Sequence, residues 1–340
     1  MLTKKLIVFI SILFTCSCTN PQQNNSLTTI NPMNKYEWVK DWPQLPAGFI
    51  LGNPTGIAVD TSGNIFVFHR AERAWPTFGN FPDTPIHSAT ILMLDRNTGK
   101  IINSWGDKMF IMPHELSVDK DNNVWVTDVG LQQVFKFTHE GKLLMVIGEA
   151  KTAGNDSLHF DKPTAIAFAN DGSFYVSDGY GNSRVVKFSS EGKYLFAWGT
   201  KGNASGEFDI PHGITLDEKG NVYVADRENS RVQVFDSSGN FLRQWTDKSF
   251  GHICAITFDK QTNNFIVVDD AVSMLGTHHN GSDIILFDTA GNILNRFGRT
   301  GSYDGPKCWY HDVTIDDDGN IYVGDILGNT IQKFRRVVAK

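Results

Sequence analysis

The stretch Pro211-His-Gly-Ile-Thr-Leu-Asp217, followed by Glu-Lys-Gly-Asn-Val-Tyr-Val-Ala-Asp226, decides the fold of this chain. A short apolar run ends in Asp, a Gly-Asn turn follows, and the next run alternates apolar and polar residues. This pattern predicts two antiparallel strands joined by a tight turn. Two further strand signals, Arg231-Val-Gln-Val-Phe and Phe241-Leu-Arg-Gln-Trp, complete a set of four strands. Four short strands of this kind form one blade of a propeller.

The opening window of this unit recurs without gaps in five other places along the chain. The copies begin at Pro54, Pro113, Pro163, Ile253 and Tyr310. They are spaced by roughly 40 to 60 residues, the period of propeller arrays. The last copy stops at Phe334, one strand short, and the amphipathic segment Tyr36-Glu-Trp-Val-Lys-Asp-Trp can supply the missing outer strand. We therefore predict an all-β, six-bladed β-propeller over residues 36–340, with its ring closed by an N-terminal strand.

Composition agrees with a single propeller domain. Repeat architectures grow by adding units, so the length of 340 residues needs no second core. The formal charge is −6 and the isoelectric point is near 5.9, with no basic stripe to neutralise phosphates. We therefore expect no nucleic-acid partner.

The N-terminal region has the features of an export signal. Lys4 and Lys5 precede an apolar run to Phe14 that is too short to span a bilayer. The end of this segment resembles the cleavage box of bacterial lipoproteins, with Ser17 before a lipid-modified Cys18; an ordinary cleaved signal is the alternative. We assign residues 1–18 to the signal and residues 19–35, rich in Asn, Gln, Ser and Thr, to a flexible tether. The expected location is the bacterial cell envelope, with contact to membrane only through the lipid anchor.

Histidine occupies one position of the repeat in every second copy. The second position of the six windows holds Thr55, His114, Thr164, His212, Cys254 and His311. In a closed ring, alternate blades lie about one third of a turn apart, so the three imidazoles can converge on the axis. A single histidine on an inner strand is usually a satisfied core residue, but three at one repeat position indicate a metal site. Three nitrogen ligands with a fourth coordination position open favour catalytic zinc. Nitrogen ligands alone do not exclude other divalent transition metals.

Two arginines and a tyrosine are predicted at the same mouth of the channel. Arg70 in blade one and Arg227 in blade four occupy equivalent places, and facing guanidinium groups suit an anionic substrate such as a carboxylate. Loop ion pairs with Glu72 and Glu228 are the alternative. Tyr180 lies on the corresponding loop of blade three. It is either a packing residue or, beside a dication and an arginine, a base with a lowered pKa.

Cysteine usage adds little to this interpretation. Outside the leader only Cys254 and Cys308 remain, too few for a disulfide framework. Cys254 shares the repeat position of the histidines, and Cys308 lies three residues before His311. Each is either a buried structural thiol or an additional group near the metal.

Several short motifs together resemble one family of propeller enzymes. The motifs are Val67-Phe-His-Arg70, Pro113-His114, Ser177-Asp-Gly-Tyr180 with Asn182-Ser-Arg184, Pro211-His212, Ala225-Asp-Arg-Glu-Asn229 and His311-Asp312. They resemble the peptidyl-α-hydroxyglycine α-amidating lyases, six-bladed propellers built from NHL-type repeats, and the similarity runs from about residue 48 to residue 334. Ordinary NHL repeats lack the alternating histidines.

The resemblance implies a reaction and assigns roles. It implies cleavage of an N-acyl- or peptidyl-α-hydroxyglycine to an amide and glyoxylate, with zinc held by the three histidines His114, His212 and His311. It places Arg70 and Tyr180 in the catalytic site and Arg227 as a second arginine that holds the substrate carboxylate. It also implies a structural calcium on the axis, bound by the backbone carbonyls of Ile57 and Leu116 and by the carboxylate of Asp312.

The chain departs from the family pattern near the last histidine. Trp309 stands where the family has Met, Tyr310 where it has Pro, and Gly181 where it has one of its disulfide cysteines. Trp309 is a candidate substrate-binding residue, because a larger ring beside the metal reshapes the pocket. We expect a monomer that acts on a small-molecule or peptide substrate with a free carboxylate. The alternatives are a non-catalytic envelope propeller that binds a protein or glycan, and a metal-dependent enzyme of the lactonase or streptogramin-lyase kind.

Overall fold

The aspartate that ends the window clasps the turn that follows it. Asp217 Oδ1 accepts hydrogen bonds from the backbone N–H groups of Lys219 and Asn221, each at 2.9 Å. The Asn221 side chain donates to Asp217 Oδ2 at 2.7 Å. Gly220 takes the left-handed conformation of the turn, with φ of 79°, which a residue without Cβ adopts at little cost. The same clasp from Asp to Asn is present at Asp60, Asp119 and Asp316. Short-range hydrogen bonds therefore fix this turn in each of these blades.

The computed structural model describes residues 35–75, 81–270, 281–298 and 308–337, which contain β-strands and no α-helix. An N-terminal strand is β1 (Lys35–Trp38). Blade one contains β2 (Pro54–Val59), β3 (Ile65–His69), β4 (Ile91–Leu94) and β5 (Ile101–Trp105). Blade two contains β6 (Pro113–Val118), β7 (Val124–Asp128), β8 (Gln133–Phe137) and β9 (Leu143–Ile147). Blade three contains β10 (Pro163–Phe168), β11 (Phe174–Asp178), β12 (Arg184–Phe188) and β13 (Tyr194–Trp198).

The second half of the chain repeats this organisation. Blade four contains β14 (Pro211–Leu216), β15 (Val222–Asp226), β16 (Arg231–Phe235) and β17 (Phe241–Thr246). Blade five contains β18 (His252–Asp259), β19 (Asn264–Asp270), β20 (Asp283–Phe287) and β21 (Ile293–Gly298). Blade six contains β22 (Tyr310–Ile315), β23 (Ile321–Asp325) and β24 (Thr330–Val337).

The ring is closed by the strand predicted for that purpose. Strand β1 pairs antiparallel with β24, with Lys35 opposite Val337 and Trp38 opposite Phe334. Blade six thus becomes a four-stranded sheet like the other five, in the order β1-β24-β23-β22. The inner strands β2, β6, β10, β14, β18 and β22 contact one another in sequence, and β22 contacts β2. The prediction of a six-bladed, all-β propeller with an N-terminal closing strand is confirmed.

Hydrophobic clusters fill the spaces between neighbouring blades. Between blades three and four, for example, Tyr175, Phe208 and Phe235 are fully buried. Between blades six and one, Trp42 and Tyr322 join one cluster. Apolar burial of this kind contributes roughly 25 cal/mol for each Å² removed from water. Each blade is therefore stabilised mainly by its two neighbours, and this holds the inner strands at fixed angles around the axis.

The predicted leader lies outside the described residues. This applies to the signal at 1–18 with its lipid-modified Cys18 and to nearly all of the tether at 19–35. The propeller lies within one compact unit, residues 31–340. In the ranges that the structure describes, there is no helix of the length and apolar character needed to cross a membrane.

Candidate active site

A β-bulge aims the second residue of each window toward the axis. In blade two, Pro113 pairs with Asp128 and Glu115 with Thr127, so His114 between them has no partner in the ladder. The same register shift occurs at the second position of four other inner strands, and in blade four it spans both His212 and Gly213. A bulged residue leaves the pleat and its side chain is redirected. The bulge is therefore the local feature that turns the three histidines inward.

Each histidine is oriented by the backbone of the next blade. The Nδ1 atoms of His114, His212 and His311 lie 2.7 Å, 2.7 Å and 2.8 Å from the carbonyl oxygens of Thr164, Cys254 and Thr55. A carbonyl only accepts, so Nδ1 carries the proton and donates it, which leaves Nε2 as the free lone pair. Partners that fix the tautomer in this way are typical of metal-binding histidines. The three windows without histidine thus contribute carbonyl groups at the same repeat position.

The three imidazoles form a compact, neutral cluster. Their ring centroids are 4.7 to 5.0 Å apart, and one ligand nitrogen from each lies within 4.8 Å of the others. Burial lowers the pKa of His311 to about 3 and the pKa values of His114 and His212 well below the usual range, with nearby charges adding to the effect. Neutral imidazole is the form that binds metals. The three predicted histidines therefore do converge, and they could hold a metal ion.

Tyr180 places its hydroxyl group at this cluster. Its Oη is 3.1 Å from Nε2 of both His114 and His212. Although part of its surface faces the open cavity, protein surrounds the phenol on most sides. Burial raises the pKa of Tyr180 to about 12, while the charges of Arg227 and then Arg70 oppose that rise. The protein groups alone thus do not produce the lowered pKa that the sequence suggested; only an added cation could do so.

Arg70 is buried beside the tyrosine. Its side chain is almost inaccessible, at 2% exposure, and its Nε donates to the carbonyl of Pro113 at 3.0 Å. Nη1 donates to Asn53 Oδ1 at 3.2 Å, and the guanidinium lies over the ring of Trp75, 4.4 Å from its centroid. Burial lowers the pKa of Arg70 to about 10, so it remains charged at neutral pH. These contacts hold a fixed cation at the cavity wall.

Arg227 combines the two interpretations given for it. It forms an ion pair with Glu228, so the loop ion pair is present, and it also lines the same cavity as Arg70 and Tyr180. Glu72, the corresponding candidate partner of Arg70, instead accepts a hydrogen bond from the backbone N–H of His87 at 3.0 Å. Arg227 is therefore held by an ion pair, whereas Arg70 is held by hydrogen bonds and by the ring of Trp75.

A cavity of about 490 Å³ joins these groups. Six predicted residues line it: Arg70, Tyr180, His212, Arg227, Trp309 and His311. Asn53 and Trp75 also line it and were not predicted from the sequence. Asn53 occupies the repeat position of Trp309, directly before the window, whereas Trp75 lies on a loop of blade one whose sequence the other blades do not repeat. Trp309 therefore lines the same cavity as the histidines and arginines. Tyr310, the other departure in this region, is buried between blades and donates to Gln332 Oε1 at 2.7 Å.

The cysteines lie outside the histidine cluster. Cys254 and Cys308 are both buried free thiols, and among the described residues the potential metal-binding group consists of the three histidines alone. Cys254 lines the cavity, where burial raises its pKa to about 11. The interpretation as buried thiols is thus favoured over direct metal ligation.

A second cavity of about 260 Å³ lies on the axis, bordered by all six inner strands. Ile57, Leu116 and Asp312 line it, as the calcium interpretation requires. Asp312 Oδ2 accepts a hydrogen bond from the N–H of Ile57 at 2.8 Å, and burial raises the pKa of this carboxyl to about 7. Glu115, which the sequence analysis missed, also borders the cavity. Oxygen donors of this kind suit a hard cation such as Ca²⁺.

Comparison with known proteins identifies related chains. The NHL repeat family matches residues 160–188 and 208–235. Peptidyl-α-hydroxyglycine α-amidating lyase 1 of Drosophila melanogaster is 34% identical over 352 residues, which is 95% of this chain and 63% of that protein. Peptidyl-glycine α-amidating monooxygenase B of Xenopus laevis is 35% identical over 312 residues, 86% of this chain. The chain spans about a third of the length of that monooxygenase, 35%.

A solved structure shares the architecture at low identity. A streptogramin B lyase superimposes with a TM-score of 0.55 at 14% identity, covering 90% of this chain and 99% of that one. Identity this low supports the propeller fold and carries no argument about activity.

Proposed function

The chain belongs to the family of peptidyl-α-hydroxyglycine α-amidating lyases, and from this premise we propose that it cleaves an N-acyl- or peptidyl-α-hydroxyglycine to an amide and glyoxylate. One observation supports the proposal above the others. Two of the three neutral imidazoles, a tyrosine hydroxyl and two arginines line a single cavity. The third imidazole, that of His114, lies 3.1 Å from the same tyrosine hydroxyl. This set matches what the reaction needs: a place for the hydroxyl group, a proton acceptor and a binding site for the carboxylate.

The histidines are the proposed zinc ligands. Their Nε2 lone pairs face one another and their Nδ1 protons are held by carbonyl groups, so the donor set fits a site with three protein ligands. When bound there, zinc would supply a Lewis acid that makes the substrate hydroxyl more acidic. The cluster contains nitrogen ligands only, which favours this assignment over a lactonase-like site built with carboxylates.

Tyr180 is the proposed proton acceptor, in the ionised form that a zinc ion bound at the histidines would favour. Its hydroxyl lies 3.1 Å from two of the histidines, within reach of a substrate hydroxyl bound at the cluster. In the reaction the hydroxyl loses its proton, the carbon–oxygen double bond of glyoxylate forms, and the bond from the α-carbon to the amide nitrogen breaks. The nitrogen leaves with a proton as the amide, so atoms and charges balance.

The arginines are the proposed carboxylate site. Arg227 lines the cavity next to Tyr180, and its planar guanidinium can bind a carboxylate through two hydrogen bonds. Arg70 is fully buried with Nε already donating to a carbonyl, so its role is to keep positive charge beside Tyr180 and the substrate. Trp309 borders the same cavity and is proposed to contact the acyl or peptide part.

Two further assignments complete the proposal. A structural calcium at Ile57, Leu116 and Asp312 would tie together the inner strands of blades one, two and six. The leader sequence is proposed to export the protein and anchor it through Cys18 as a monomer in the cell envelope.

Metal analysis combined with a glyoxylate assay tests the function. Purified protein is analysed for bound zinc and incubated with α-hydroxyhippurate, the simplest N-acyl-α-hydroxyglycine. We expect about one zinc per chain and release of glyoxylate with benzamide in equal amounts. Bound zinc without glyoxylate release would favour another metal-dependent reaction. Absence of both bound zinc and glyoxylate release would favour a non-catalytic propeller that binds a protein or glycan.

A further inference from the structure

The third position of the repeat contains a second pattern, directly after the histidine position. In the six windows it holds Gly56, Glu115, Ala165, Gly213, Ala255 and Asp312. Four of these residues are Gly or Ala and leave the axis open. The other two are carboxylates on blades two and six, the two neighbours of blade one.

Close packing explains the small residue between them. A Cβ atom on Gly56 would lie 2.2 Å from the backbone nitrogen of Leu116, so no larger side chain fits there. Glu115 and Asp312 therefore border the same axial cavity from blades two and six, and the blade between them has a glycine at this repeat position.

The Glu115 carboxylate has an oxygen that lacks a partner. The residue is 8% exposed, and its Oε1 accepts a hydrogen bond from Ser117 Oγ at 2.5 Å. Its Oε2 is buried and, within the part of the chain that the structure describes, has no hydrogen-bond partner, although the backbone of Ile166 also lies near the carboxyl group. A buried carboxylate oxygen without a donor is costly unless a cation lies near it.

We propose that Glu115 is a direct ligand of the axial cation together with Asp312, so that two carboxylates and the carbonyls of Ile57 and Leu116 form one oxygen-rich site. This inference rests on the proposed calcium site and adds a ligand to it. Two negative charges balance a divalent ion, and an all-oxygen set of this charge favours Ca²⁺ over the transition metals that the histidines attract.

Calcium binding and thermal unfolding test this assignment through Glu115→Gln, which keeps the shape and removes the charge. Wild type and variant are compared in Ca²⁺ and after Ca²⁺ removal, with one equivalent of Zn²⁺ in every sample. We expect the Ca²⁺ dissociation constant to rise about tenfold or more, because affinity follows ligand charge. We also expect the sign of the stability change to reverse: without Ca²⁺ the variant melts higher than wild type, and with Ca²⁺ it melts lower.

Controls separate this inference from the function proposed above. Glu218→Gln, on an exposed turn, should change neither quantity. Glu115→Ala serves if the Gln variant does not fold, because Ala or Gly occupies this position in four other blades. Unchanged Ca²⁺ affinity in the Glu115 variant would overturn the assignment, and so would a wild type that binds no Ca²⁺. Glyoxylate release by wild type is measured separately, so either result leaves the lyase proposal to its own test.

Discussion

Replacing Tyr180 with Phe should separate catalysis from metal binding. The change removes only the oxygen that lies 3.1 Å from Nε2 of His114 and His212. The ring keeps its contacts, with centroids 5.0 Å from His114 and 5.8 Å from Trp75. Loss of a positioned acid or base usually lowers turnover by about two to four orders of magnitude, or roughly 3 to 5 kcal/mol of barrier. We expect that loss in turnover, with unchanged zinc content and little change in KM.

Steady-state release of glyoxylate from α-hydroxyhippurate measures this effect, alongside zinc analysis of the same samples. Tyr194→Phe is the matched control, because Tyr194 lies on an outer strand and is 40% exposed. It should behave as wild type. Turnover of Tyr180→Phe within a few-fold of wild type would refute the role of the phenol and leave another base to be found. Loss of zinc together with activity would instead make Tyr180 a residue that supports the metal site.

His212→Ala should lose tightly bound zinc while its circular dichroism spectrum remains that of a folded propeller, since the blades keep their own hydrophobic contacts; full zinc occupancy would contradict the ligand assignment. Arg227→Ala should raise KM for the free acid by roughly ten- to a hundredfold, the value of a charge-assisted hydrogen bond, and should remove the preference for the acid over its methyl ester. Arg70→Ala should lower turnover as well as affinity, and a pure KM effect would limit its role to the carboxylate. In metal-free protein, His311 should lower the free energy of unfolding as pH drops from 6.5 toward about 3, because the unfolded chain takes up a proton at His311 and the folded chain does so only near pH 3. Asp312 acts in the opposite sense below about pH 7, because burial raises its pKa in the folded chain, so the contribution of His311 is the difference between the urea-denaturation pH profiles of wild type and His311→Ala. Identical slopes for the two proteins would argue against burial of a neutral His311.

The fold was predictable because its signals are local and repeated. The Asp217 to Asn221 clasp depends on residues four apart, and it recurs with the same letters in other blades. Closure of the ring by β1 was predictable for a different reason. Blade six lacked its fourth strand in the sequence pattern, and the amphipathic segment before blade one belonged to no other blade. The three converging histidines were visible through the same alignment, because a shared repeat position on alternate blades of a ring brings side chains together at the axis.

Other parts of the site could not be predicted from these patterns. Trp75 packs on Arg70 from a loop between β3 and β4 that no other blade repeats, so nothing in the alignment pointed to it. The carbonyl of Thr164 orients His114, but every residue has a carbonyl and the letters do not reveal its direction. Glu115 was visible in the alignment, one position after the histidine, yet a single acidic residue suggests a solvated surface until its burial is known.

Each histidine-bearing blade donates a hydrogen bond from its imidazole to a carbonyl of the next blade, so the arrangement around the axis repeats every two blades. Blades two and three form one such pair, blades four and five the next, and blades six and one the third, joined across the chain ends. An arrangement that alternates can close only with an even number of units. Gain or loss of a single blade, a change that propeller packing tolerates, would place two like blades side by side and break the threefold symmetry of the ligands. Evolution of this ring toward another size is therefore expected to proceed by pairs of blades or to lose the convergence of the three histidines.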